Sequence, residues 1–220
     1  MATPTIEEYL ETIYVLDGEQ PPVRSAKIAA AMGVSAPTVT DTVKRLVEQG
    51  YVAVGTGKDL RLTESGREVA EGLVRRHRLS ERWLVDVLGM DWSAVHEEAC
   101  KLEHALSPEV EERLARALHY PSTCPHGNPI PGSGGEVQGG VPLAQMAIGE
   151  DATVLRVPPS GEKDPRLLRY LKQHGIVPGV RLRVIEIALW AGVVTVEVGE
   201  SRRVEVSLEV ASQIRAQPRR

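Results

Sequence analysis

The chain has 220 residues, 42% of them hydrophobic and 25% charged, enough to bury a core in one large domain or two small ones. No stretch reaches the roughly 18 consecutive apolar residues of a membrane span, and two cysteines, Cys100 and Cys124, are too few for a disulfide framework and read as free thiols or ligands. The formal net charge of −4 argues against a broadly basic nucleic-acid binder but leaves a local positive face open, and it gives the acidic side chains a reason to meet a cation.

The acidic, amphipathic start MATPTIEEYLETIYVL lacks the basic and apolar blocks of a secretion signal, so a cytoplasmic protein with no membrane partner is expected. Ile6, Tyr9, Leu10, Ile13 and Leu16 form one helical stripe. A short Ala-rich helix follows over Ser25–Met32, is broken at Gly33-Val34-Ser35, and gives way to a third helix from Ala36 to Gln49 with Val39, Val43, Leu46 and Val47 on its apolar side. Gly50 sits where a glycine stop belongs. Tyr51–Val54 and Leu60–Leu62, joined by a Gly-containing turn, read as a β-hairpin.

Helix, three-residue turn, helix and hairpin together are the plan of a winged helix-turn-helix, whose second helix presents its N-terminal residues to base edges in the major groove. Here those residues are Ser35, Ala36, Pro37, Thr38, Thr40 and Asp41, with Lys44 and Arg45 one turn later. Arg24 and Lys27 flank the preceding helix, Lys58 and Arg61 lie on the wing, and these cations would attract phosphates. A purely protein-binding winged helix is the bland alternative.

Thr63 caps a long helix through about Leu79, with a restart near Glu81 running to Leu88. Further helices are expected over Ser93–Ala105 and, opened by Ser107-Pro108, to Leu118. In the first of these, His96, Cys100, Glu103 and His104 fall at i, i+4, i+7 and i+8 and so share one face. Imidazole, thiolate and carboxylate on one stripe suit a first-row transition metal. His77 and Glu81 form a second i, i+4 pair, and Glu8 and Glu11 an i, i+3 carboxylate pair. Apolar residues such as Trp83, Leu84, Val87, Leu114 and Leu118 exceed the needs of a small helical unit and point to a homodimer.

Residues 120–142 are rich in Pro and Gly without apolar period and read as a linker. Beyond them, Thr153–Val157, Arg181–Ile187, Val193–Val198 and Arg203–Val206 alternate as strands, with one helix near Pro165–His174, which suggests a small barrel.

The segments EEYLETIY, SAPTVTDTVKRL, RRHRLSERWL, VHEEACKLEH and HGNPIPG, in that order over residues 6–132, resemble the diphtheria toxin repressor family, including its manganese-transport regulators. The C-terminal part resembles the SH3-like (FeoA-like) domain of iron-dependent members. The resemblance implies an α+β chain in four parts: a winged helix-turn-helix over 1–72, an all-α dimerisation and metal-binding domain over 73–119, the linker over 120–142, and an SH3-like small β-barrel over 143–220. It implies a repressor of metal-homeostasis genes that binds double-stranded, palindromic operator DNA as a homodimer when loaded with Mn(II) or Fe(II), and no enzymatic activity. Two metal sites per subunit are implied. Cys100, Glu103 and His104 match the primary site, with Glu8 from the first helix, while His77, Glu81 and His96 match the ancillary site.

Iron-dependent members add carboxylate and amide ligands from the SH3-like domain; Asp164 is the nearest carboxylate, and Leu167 stands where the amide would be. Glu8 and Glu11 follow the manganese branch and Cys100 the iron branch, so both metals stay open, with Mn(II) the preferred reading. A metalloenzyme built on the same ligands is the alternative, although no HExxH motif or separate acid–base pair accompanies them. A metal-dependent adaptor, whose SH3-like domain takes a proline-rich segment such as Pro125–Pro131, is a third.

Overall fold

The structure, a computed structural model, describes residues 3–134, 139–199 and 202–219. It divides into two compact units, Met1–His77 with Glu103–Leu106, and Arg78–Leu102 with Ser107–Arg220.

The first unit contains α1 (Pro4–Glu19), α2 (Ser25–Met32), α3 (Ala36–Glu48), β1 (Val52–Val54), β2 (Leu60–Leu62) and the first turns of α4 (Glu64–Asp86). Spacing of three and four along α1 puts Ile6, Tyr9, Leu10 and Ile13 on one buried face, which packs with Ile28, Val39, Leu46, Val52 and Leu60. Each such aliphatic side chain contributes about 1.5–3 kcal/mol when fully buried. Gly33 closes α2 at φ +66, a left-handed conformation that favours glycine, and turns the chain into α3. Ser35 caps α3 by accepting the Thr38 N–H, and Ser35 Oγ lies 2.8 Å from Thr38 Oγ1. The hairpin is antiparallel, with Ala53 opposite Arg61.

At the start of α4 the Thr63 hydroxyl accepts the Gly66 N–H, as the sequence suggests. The expected restart near Glu81 does not occur: α4 runs unbroken to Asp86. Neither Gly nor Pro interrupts residues 73–86, and Leu73, Leu79 and Leu84 are all buried, so propensity and packing agree on continuity.

In the second unit, α5 (Val95–Leu102) and α6 (Pro108–Ala117) accompany the rest of α4. Leu79, Ala115 and Ile130 form one small core, and Leu84, Val95 and Ala99 another. Of the residues expected to exceed the needs of this unit, Leu84 is inside and Val87 is outside, exposed with Leu88 and Val110. The helix α5 stops three residues earlier than expected, because Pro108 holds Ser107 extended and Ser107 is taken up in capping α6.

The C-terminal region forms a six-stranded antiparallel sheet in the order β3-β8-β4-β5-β6-β7. Its strands are β3 (Val141–Pro142), β4 (Asp151–Arg156), β5 (Arg181–Ala188), β6 (Val193–Val198), β7 (Arg202–Ser207) and β8 (Arg215–Pro218). The inward residues of the alternation, including Val154, Leu182, Val184, Val194, Val196, Val204 and Val206, share a core with Leu168 and Leu171 of α8 (Pro165–His174). Helices α7 (Pro159–Glu162) and α9 (Leu208–Gln213), and the short strands β3 and β8, are additions to the sequence reading.

Candidate metal centre and nucleic-acid interface

Helix α3 turns Val39, Thr42, Val43 and Leu46 inward. Its other side leaves Ser35, Ala36, Pro37, Thr38, Thr40, Asp41 and Arg45 exposed, and Lys58 is exposed at the wing tip. The whole set expected to meet DNA is therefore accessible, apart from Lys27, which is half-buried with Nζ donating to the Gln20 carbonyl at 2.5 Å. The cations differ in freedom: Arg61 is held by Asp59 at 2.7 Å, whose carboxyl is thereby kept below its usual range, while Lys44 lies 4.0 Å from Glu48 in a highly exposed pair of little strength.

Metal-type ligands gather in two places. In the first unit, His77 Nδ1 lies 2.5 Å from Glu103 Oε2, His104 Nε2 lies 3.4 Å from Glu103 Oε1, and His104 Nδ1 lies 2.8 Å from Glu7 Oε2. Arg76 secures this chain of contacts, donating to the Glu103 carbonyl at 2.7 Å and approaching Glu7 at 3.8 Å. His77 and Glu103 are buried. Two details differ from the sequence reading. Glu103 and His104 follow the end of α5 in a turn, so the single-face spacing with His96 and Cys100 holds only for those two. Glu8 is exposed, and its neighbour Glu7 is the first-helix carboxylate that meets His104.

In the second unit, His96 lies 3.8 Å from both Glu81 and Cys100. Glu81 also belongs to a fully buried group with Cys124, His126 and Glu162, whose ligand atoms all fall within 4.8 Å of one another. His126 Nε2 donates to the Trp92 carbonyl at 3.0 Å, which turns Nδ1 toward Glu81 and Glu162 at 3.3 and 3.4 Å. Buried Nδ1 makes no hydrogen bond of good geometry among the described residues. An imidazole fixed through its far nitrogen by a backbone carbonyl is the usual arrangement of a metal-binding histidine. Burial opposes charging His126, but contacts with Glu81 and Glu162 win and raise its pKa to about 9; burial, reinforced by the same carboxylates, pushes the Cys124 thiol well up. Asn128 donates to Glu162 at 2.5 Å and to the Val157 carbonyl at 2.7 Å, and Arg156 donates to Asn128 at 3.0 Å. Imidazole, thiol and two carboxylates held in this way fit a divalent transition metal by donor type.

Of this group, Cys124 is a possible ligand from the sequence alone, whereas His126 and Glu162 are not singled out there. Cys124-Pro125-His126 sits in the segment read as linker, yet Cys124, His126, Asn128 and Ile130 are buried. The C-x-H spacing was the available signal. Asp164, the nearest carboxylate from the sequence, is instead the cap of α8, accepting the N–H groups of Arg166 and Leu167 and pairing with the Arg166 side chain.

Three family models match: the iron-dependent repressor N-terminal DNA-binding domain over residues 1–60, the iron-dependent repressor metal binding and dimerisation domain over 63–132, and the FeoA domain over 141–218. The iron-dependent repressor of Mycobacterium bovis is 38% identical over 201 residues, covering 82% of this chain and 83% of its own. The diphtheria toxin repressor of Corynebacterium diphtheriae is 40% identical over 175 residues, covering 78% and 73%. Among solved structures, a manganese-dependent transcriptional repressor in complex with manganese superposes with a TM-score of 0.87 at 36% identity, covering 97% of this chain and 99% of its own. The manganese regulator SloR superposes at 0.80 with 34% identity, covering 99% and 100%. No helix is long and apolar enough to cross a membrane among the described residues. The chain belongs to the iron-dependent (diphtheria toxin) repressor family of metal-dependent, DNA-binding transcriptional repressors.

Proposed function

We propose that this protein is a repressor activated by Mn(II), with two metal sites per chain, which binds palindromic operator DNA of metal-homeostasis genes as a homodimer. The observation that carries the metal dependence is the buried group of Glu81, Cys124, His126 and Glu162. Two carboxylates are brought together out of water there, an arrangement that needs a positive partner. Protonated His126 offers one such partner, and a divalent cation would supply a stronger one. Cys124 and His126 would each give up a proton to bind it, so uptake at this group strengthens as pH rises. The second site is the primary one of the resemblance, Cys100, Glu103 and His104 with Glu8, and the ancillary residues His77 and His96 flank Glu81 in the sequence reading. Oxygen ligands favour Mn(II), and the manganese-dependent structural relative agrees with this preference. Fe(II) is the second reading, favoured by Cys100 and by the iron-dependent relatives.

The test is fluorescence anisotropy, under anaerobic conditions, on a duplex selected in vitro with metal-loaded protein. Affinity should rise at least about tenfold with Mn(II) or Fe(II), a coupling of about 1.4 kcal/mol, and fall back on adding chelator. Equal affinity with metal and with chelator would sink the proposal.

A further inference from the structure

The outward face of the C-terminal sheet carries a hollow lined by residues from β4, β5 and the end of β8. Thr153 of β4 stands opposite Gln217 of β8 on one side and Arg181 of β5 on the other. Directly opposed residues of antiparallel strands share a face. Ala152, Val154, Leu182 and Ala216 occupy the core side, so the row of Gln217, Thr153 and Arg181 lies outside. Arg219, whose backbone N–H bonds to the Asp151 carbonyl, begins the adjacent row. With Gly179 and Pro218 these residues line a hollow of about 460 Å³.

Charge on this face is unevenly satisfied. Arg183 is engaged, with Nε 3.4 Å from Asp151 and donating to the Gly149 carbonyl at 3.1 Å. Glu197 stands opposite Arg183 in that same adjacent row. Arg181 and Arg219 are exposed and make no side-chain hydrogen bond or ion pair among the described residues. Among the described residues no carboxylate lines this hollow, although Arg181 and Arg219 also border an adjoining one lined by Asp151 and Glu197; it offers two guanidiniums, a hydroxyl and a carboxamide, arriving from three neighbouring strands.

We propose that this hollow binds a small anion bearing a phosphate group, either free phosphate or a phosphate monoester. A guanidinium fork matches two phosphate oxygens at once, and the hydroxyl and amide can donate to the remaining one. The volume exceeds that of a bare ion and falls within the range of small-ligand sites, about 300–1,000 Å³. A concave site suits a terminal phosphate better than the phosphodiesters on the convex rim of a duplex. None of its residues is a metal-type ligand or part of the winged helix, so the proposal stands or falls independently of the metal reading.

The experiment is isothermal titration of the full-length, metal-free protein at low ionic strength with inorganic phosphate, with adenosine monophosphate and, separately, with a mixed-sequence duplex. Saturable binding of the two small probes is expected, weakened at least tenfold by the double substitution Arg181→Gln/Arg219→Gln and less by Arg181→Lys, which keeps charge but not the fork. Amide chemical shifts of Thr153 and Gly179 should move with the small probes. Both arginines are exposed, so the double variant should keep its unfolding midpoint, and the single variants give the same readout separately. Absence of saturable binding, unchanged affinity in the double variant, or an arginine-dependent response to the duplex alone would each overturn the proposal.

Discussion

At the scale of single residues, the two adjacent glutamates of the first helix divide structure from chemistry. Glu7 is half-buried and held by His104 and Arg76, whereas Glu8 is exposed. The family resemblance gives the ligand role to Glu8. On that assignment, Glu8→Gln should weaken Mn(II) activation of DNA binding at least about tenfold while leaving the stability of the metal-free protein unchanged. Glu7→Gln should instead lower metal-free stability by about 1–3 kcal/mol, because a partly buried charged hydrogen bond is lost. Denaturant titration and metal titration of the two variants decide between them, and the reverse pattern would move the ligand role to Glu7. The sequence could not have separated the two, since both lie on the same exposed-to-buried edge of α1 and periodicity resolves faces only to about one residue. The buried group of Glu81, Cys124, His126 and Glu162 was illegible for another reason. Its members are separated by up to 81 positions, and the packing of residues 120–134 against α4, β4 and α7 brings them together.

At the scale of elements, the long periodic helices and the strands with clean alternation were readable, because burial of one face writes a period of 3.6 or 2 into the sequence. The short β3 and β8 were not: each contains a proline and too few residues for any period to show. Composition reports conformational preference and not burial, so a segment that reads as a linker still buries Cys124, His126, Asn128 and Ile130. Gly127 shows what the segment does. It adopts φ +88, and a Cβ there would lie 2.1 Å from the Leu155 carbonyl oxygen of β4. Gly127→Ala should therefore destabilise the second unit by roughly 2–5 kcal/mol, combining left-handed strain with a backbone clash. It should also impair metal uptake by the adjacent Cys124 and His126. An unchanged thermal midpoint would show that the segment does not pack so closely. A second fastening joins the loop after α4 to α8. Asp91 accepts from Lys172 at 2.8 Å and from the Ser93 hydroxyl and N–H, and these contacts hold its carboxyl far below the ordinary value of 3.8. For a depressed carboxyl, the stabilisation is complete above that ordinary value and fades as pH falls below it. Urea midpoints of the wild type and of Lys172→Met should accordingly differ at pH 7 and still differ at pH 3, the gap closing only as pH falls through the depressed value itself. The difference should not exceed about 1 kcal/mol, because both side chains are about half exposed. A gap that persists below that depressed value would mean that Lys172 acts through its aliphatic stem and not its charge.

At the scale of the whole molecule, a net charge of −4 must be reconciled with binding a polyanion. The cations near the recognition helix are few, and some are already engaged. Arg61 is paired with Asp59, Lys44 faces Glu48, and Lys27 donates to a backbone carbonyl, while Arg24, Arg45 and Lys58 remain exposed and accessible. Metal loading adds positive charge but no phosphate contact of its own, so it should change the level of affinity and not its dependence on salt. Counterion release then sets the expected slope. With about three to four phosphate contacts per chain, a dimer should give a logarithmic dependence of affinity on salt of about −5 to −7. Arg45→Gln should reduce the slope by about 2, one contact from each chain, with the same change on operator and on unrelated duplex. Thr38→Ala, by contrast, should leave the slope unchanged and cost about 1–3 kcal/mol on the operator only, if the short polar side chain at the start of α3 is there to read a base edge, since it neutralises no phosphate. Anisotropy titrations across a range of potassium chloride concentrations, with metal held in excess, measure both quantities. If Thr38→Ala flattened the salt dependence and Arg45→Gln changed only operator affinity, the outward face of α3 would be meeting DNA in an orientation opposite to the one assigned here.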